Sequence, residues 1–168
     1  DQGKQVGRLD ARVTLFDRAE APFGGASRWN EGKIHLGYLY AADPTLKSAN
    51  AMISQGLDFA DQVRRLTGLS LASATTPVDD VFLVHRDSVV SSGDMADYFA
   101  RITAMVRTHP DADRYLADVS AAELRVLDRD ELAAVADTTR IVAGYSVPER
   151  SVNTNIVADA FVAALNDD

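Results

Sequence analysis

The sequence predicts an α/β protein with an α+β middle, and three observations carry that prediction. A short apolar run (Val13, Leu15, Phe16) ends in an acid, Asp17, followed by a long glycine-bearing connection. Two later runs, Asp80–His85 and Arg140–Val147, are rich in β-branched and aromatic residues and read as strands. Between and after them lie segments with apolar residues at three- and four-residue spacing, the helical period.

In chain order, residues 1–10 are polar with two glycines and read as a loop or frayed helix end. Arg12–Phe16 reads as a strand buried on both faces. Residues 17–42 form an unusually long connection, a kind that in compact domains is functional or disordered. Asp43-Pro44 predicts a helix start, with Asp43 as N-cap and proline in the first turn. Leu46, Ala49, Ile53, Leu57, Ala60 and Val63 give that helix its apolar face, and Gly68 ends it.

Asp80–His85 is a strand, which Ser88–Val90 is expected to continue after a bend. Ser91 or Ser92 caps a helix with Met95, Phe99, Ile102 and Val106 on one face, stopped by His109-Pro110. Asp128 and Glu131 have capping-box spacing before a short apolar run. Arg140–Val147 is a strand, and Asn153 caps a final alanine-rich helix. This order suggests parts of two layers of a larger protein.

The 168 residues suffice for about one domain, and 46% apolar with 25% charged is an ordinary globular balance. A formal net charge of -8 argues against nucleic acid and anionic membranes as partners. The absence of cysteine excludes disulfides, thiolate metal sites and a cysteine nucleophile. No apolar run approaches the ~20 residues of a membrane helix, and the N-terminus has no signal-peptide core, so a cytoplasmic protein is expected. His85 and His109 have no partners at metal-ligand spacing, and no metal site is expected. The carboxylates Asp79-Asp80 and Asp128, Asp130 and Glu131 read as caps and solvated faces.

Residues 11–40 (ARVTLFDRAEAPFGGASRWNEGKIHLGYLY) carry the chemistry. An acid at the end of a strand is where a dinucleotide fold holds a ribose diol. Ser27-Arg28, Lys33-Ile34-His35 and Gly37 resemble the S-R-x-x-K-L-I-H-G-G run of FAD-dependent glycerol-3-phosphate dehydrogenases. His35-x-Gly37-x-x-Tyr40 with Pro44-x-Leu46-Lys47 is similar to the corresponding run of L-2-hydroxyglutarate dehydrogenases. Both belong to the FAD-dependent oxidoreductases related to D-amino-acid oxidase, and the likeness covers about a third of the chain (residues 11–68).

The resemblance implies a partial FAD-binding, Rossmann-like layer over residues 1–76 and part of a mixed-sheet substrate domain over 77–150. Residues 151–168 would be the return helix of the FAD-binding domain. Asp17 would bind the ribose hydroxyls and Arg18 would lie beside the adenine. Gly24 and Gly25 would let the backbone approach the cofactor, and Ser27 would donate to the pyrophosphate. Asn30, Gly32 and Lys33 would pass along the isoalloxazine. Lys33 and His35 are the expected catalytic residues, placing charge or a donor near the reduced ring or the substrate. Arg150 is the expected contact to a small anionic substrate.

The strand and G-x-G-x-x-G loop that would precede Asp17 in this family are missing from the sequence. The expectation is therefore an internal portion of a larger flavoenzyme, inactive alone and binding FAD weakly or not at all. A homodimer or a complementing chain would cover the exposed edge of strand 12–16. The competing reading is a non-catalytic α/β interaction module that kept the pattern and lost the flavin. A nicotinamide-dependent protein fits less well, because it has no need of the long 17–42 loop.

Overall fold

A computed structural model describes residues 14, 16 and 18–166. Its elements are β1 (Lys33–Ile34), α1 (Lys47–Thr67), β2 (Asp80–His85), α2 (Ser92–Arg107), β3 (Arg125–Val126), α3 (Arg129–Val135), β4 (Ile141–Val147), β5 (Arg150–Ser151) and α4 (Thr154–Asn166). Helices and small sheets mix along the chain, and every ladder among the described residues is antiparallel. The fold class is α+β in this general sense. Most of the expected strand 12–16, and Asp17 with it, lies outside the described residues. Thr14 and Phe16 are described and belong to no strand.

The larger sheet has the order β2-β4-β3. Phe82 pairs with Tyr145 and Val84 with Ala143, which puts alternate β2 residues on one face. That face packs on α2, whose Phe99, Ile102 and Val106 are fully buried. Phe99 makes edge-on contacts with Tyr38 and Phe82 at 5.3 Å and with Tyr145 at 5.5 Å, geometry favoured by the ring quadrupoles. Tyr38 carries this core across to α1, so one apolar cluster joins Ile34, Leu36, Ile53 and Leu57 to the sheet. The regions expected to belong to separate domains thus share a core within this chain.

The smaller sheet, β1-β5, pairs Lys33 with Ser151 and Ile34 with Arg150. A bridge between Thr75 and Val152 extends it, and α4 packs along α1. Residues 18–76 and 151–166 are thereby assembled side by side.

The capping chemistry is largely as the sequence implies. Ser91 Oγ accepts from the Asp94 N–H at 3.1 Å. Asp128 and Glu131 close a reciprocal capping box. Asn153 Oδ1 accepts from the Asn155 N–H at 3.0 Å. Gly68 ends α1 at φ +74°, a left-handed conformation open to glycine. Two expectations are corrected. Helix α1 starts at Lys47, after Leu46 in the left-handed region at φ 59°. Asp43 still caps it, from farther back, accepting from the Ser48 N–H at 3.1 Å and from Thr45. Ser88–Val90 does not prolong β2, because the chain turns after His85, whose carbonyl accepts from the Ser88 N–H.

Candidate functional site

A groove of about 390 Å³ opens between the loop before β1, the middle of α1 and the first turns of α4. Ser27, Asn30, Gly32, Lys33 and His35 contribute to its lining from the loop, β1 and the residue just after it, Gly56 and Phe59 from α1, and Val157 and Phe161 from α4. Its size is within the range of small-molecule sites (about 300–1,000 Å³), and its walls are mainly apolar with a few polar groups. Five of the residues expected to meet a cofactor or substrate are therefore brought together.

The loop holds its shape through side chains within it. Asn30 Oδ1 accepts from the Gly32 N–H at 2.7 Å, and its amide donates to the carbonyls of Ala26 and Ser27. Arg28 ties the loop to α4: it pairs with Asp159 at 2.8 Å, while the Thr154 hydroxyl donates to its carbonyl at 2.6 Å. Gly32 adopts φ +70°, and a Cβ there would lie 2.1 Å from the Val152 carbonyl oxygen. Its glycine requirement thus comes from pairing with the chain around β5. Gly25 has open space around it, and Gly24 meets only ordinary contacts. Ser27 is exposed at the groove, and its hydroxyl has no partner among the described residues.

Two of the expected cations have their charge engaged by aspartates. The Lys33 ammonium pairs with Asp80 Oδ2 at 2.8 Å and lies 5.2 Å from the centre of the Phe82 ring. The Arg150 guanidinium pairs with Asp79, the Arg150 backbone N–H donates to the Tyr115 hydroxyl at 2.9 Å, and the residue is not part of the groove lining. Asp79 and Asp80, read from sequence as solvated, are the partners of these two cations. Arg18 is exposed, and Asp17 lies outside the described residues.

His35 is the best-built residue of the site. Its side chain is 17% exposed, with Nδ1 3.5 Å from Glu149 Oε2 and Nε2 3.8 Å from Glu31 Oε1. Glu149 is completely buried in the turn between β4 and β5. Its Oε1 accepts from the Leu36 N–H at 2.6 Å. The facing carboxylate raises the His35 pKa above the ordinary imidazole value, against the lowering effect of burial. Burial also raises the hydroxyl pKa values of the neighbouring Tyr38 and Tyr115, and takes Tyr98 to about 12, so all three remain neutral.

The backbone around His35 is held from several directions. A Cβ on Gly56 would come within 2.2 Å of the His35 carbonyl oxygen, so α1 lies against the backbone just after β1. Tyr98 donates to the Gly37 carbonyl at 2.9 Å, and Gly37 itself adopts φ +101°. The Tyr115 hydroxyl donates to the Ile34 carbonyl at 3.4 Å. Glu149 and Gly56 are the residues the sequence reading missed. Gly56 carried a weak signal, as a glycine inside an otherwise strongly periodic helix. Glu149 carried none, since its partners are distant in the chain.

No protein-family model, curated protein or solved structure matches the chain.

Proposed function

We propose that this chain is the flavin-flanking portion of an FAD-dependent oxidoreductase. It would act on a C–H bond next to a hydroxyl or amine of a small anionic substrate. The observation that carries the reading is the groove itself. Residues suspected from the sequence, Ser27, Asn30, Gly32 and His35, line it together. The rest of the lining is mainly apolar and includes Phe23, Phe59 and Phe161, which suits an aromatic ring.

The residues fit the tricyclic part of FAD. The apolar walls suit an aromatic ring, the free Ser27 hydroxyl suits a polar substituent or phosphate, and Gly25 leaves backbone open to close approach. When bound, the flavin would supply the hydride-accepting chemistry, and the protein would orient it and tune its surroundings. The groove does not have room for a whole dinucleotide, so the adenosine half would lie beyond it.

A second reading, a non-catalytic interaction module, draws on the pairing of Lys33 with Asp80 and of Arg150 with Asp79. Those cations are satisfied internally and need no ligand. One experiment separates the two. The full chain is titrated with FMN, and amide shifts are followed by NMR. Weak saturable shifts confined to Gly25, Ser27, Gly32, His35 and Gly56 are expected. Unmoved groove resonances at millimolar FMN would overturn the flavin reading in favour of the module.

A further inference from the structure

We propose that Glu149 is a positioning residue: its buried carboxylate fixes the His35 imidazole with a proton on Nδ1 and leaves Nε2 as the proton-exchanging atom of the groove. The role assigned to Nε2 in the reaction rests on the flavin reading above. The fixing of the ring rests on geometry alone.

A carboxylate with no exposure is costly to keep charged unless its oxygens are compensated. One oxygen of Glu149 is compensated by the Leu36 N–H. The other, Oε2, has no hydrogen-bond partner among the described residues and faces His35 Nδ1, which is itself buried and equally without one. At 3.5 Å these two atoms are one small movement from a hydrogen bond. A proton on Nδ1 answers both unmet needs. It places a donor against the carboxylate and gives the imidazolium, once formed, a counter-charge. Nδ1 is sealed in, so exchange with solvent or substrate is left to Nε2.

The charges around the ring agree with this assignment. Glu149 faces it from the turn after β4, Glu31 from the loop, and Lys33 from β1, where its ammonium opposes protonation. Helix α1 contributes the backbone at Gly56. Of these, Glu149 has the largest effect. Oxidation of an alcohol to a carbonyl breaks one C–H and one O–H bond and forms the second C–O bond. A flavin, when bound, would supply the oxidant that takes the hydride with its electron pair. His35 Nε2 would take the hydroxyl proton, and Glu149 would stabilise the resulting imidazolium.

The test is a pH titration of the full chain, labelled with ¹⁵N-histidine, with the three histidines assigned through His85→Gln and His109→Gln. Neutral His35 should carry its proton on Nδ1 and titrate above 6.5. Glu149→Gln should bring the pKa to 6.5 or lower and shift the neutral ring toward the Nε2–H tautomer, since the new amide can donate to Nδ1. Glu31→Gln should leave the tautomer unchanged. A wild-type His35 that is neutral as the Nε2–H form, or that titrates at or below 6.5, would overturn the proposal. So would a folded Glu149→Gln protein with both properties unchanged. If that variant does not fold, the wild-type titration decides. Flavin is absent throughout, so failure here is distinct from failure to bind FMN.

Discussion

Gly56→Ala tests whether the contact between α1 and His35 is as close as described. The new Cβ would sit 2.2 Å from the His35 carbonyl oxygen and 3.1 Å from both its carbonyl carbon and Leu36 Cδ2. Ordinary contact begins near 3.4 Å, so the principal clash is short by about 1.2 Å. The Leu36 methyl can shift, but the principal partner is the His35 backbone, so the helix and the segment after β1 have to separate. Overpacking of this kind costs about 1–3 kcal/mol. Alanine returns about 1 kcal/mol through its helix propensity. A clash between two backbones belongs in the upper half of the first range, leaving a net loss of about 1–2 kcal/mol. At about 2–4 °C per kcal/mol for a chain of this length, the melting temperature should fall by about 2–8 °C. Gly93→Ala in α2 is the matched control. Its Cβ would meet only Ser91 Oγ at 3.9 Å, so it should stabilise by about 0.4–1 kcal/mol. Circular dichroism melts of both variants give the answer. A Gly56→Ala protein as stable as wild type, or a Gly93→Ala protein equally weakened, would refute the reasoning.

Two further outcomes follow from the core and from the buried pair. Tyr38→Phe should cost about 1 kcal/mol in urea unfolding. Thr103 keeps its bond to the Phe99 carbonyl at 2.8 Å and loses only the donor from Tyr38 at 2.9 Å. A loss above about 3 kcal/mol would mean that the ring, and not the hydroxyl, had been disturbed. The raised His35 pKa makes folding bind a proton. The stabilisation is full below about 6.5, the unfolded value, and disappears as pH rises through the folded one. Denaturant midpoints should therefore decline with pH from about 6.5 upward, and Glu149→Gln should remove that part of the slope; an equal slope in both proteins contradicts the pairing.

Much of this architecture was legible in the sequence where the determinants are local. The apolar stripe of α2, the capping box at Asp128 and Glu131, the alternation of β4 and the glycine ending α1 all act within a few residues. The start of α1 was misread because Asp43 caps it across an intervening turn, with Leu46 in a left-handed conformation that the sequence does not announce. Strands β1 and β5 are two residues each, too short to show a period. The site was half legible. His35 and its loop stood out, whereas the partners that decide what each side chain does are remote. Lys33 meets Asp80, Arg150 meets Asp79, and Glu149 meets Leu36, each pair brought together only by the assembled sheets.

The segment carrying His35, at the end of β1, has no shape of its own. It is braced at Ile34 by Tyr115, at Leu36 by Glu149 and at Gly37 by Tyr98, partners 81, 113 and 61 positions further along the chain. Contacts of such long range repay the closure entropy of the intervening chain only once their distant partners are in place. The histidine therefore acquires its setting only when nearly the whole chain is in place. An isolated peptide covering this segment would be a shapeless stand-in for it, and any ligand that selects the finished arrangement doubles as a gauge of complete folding.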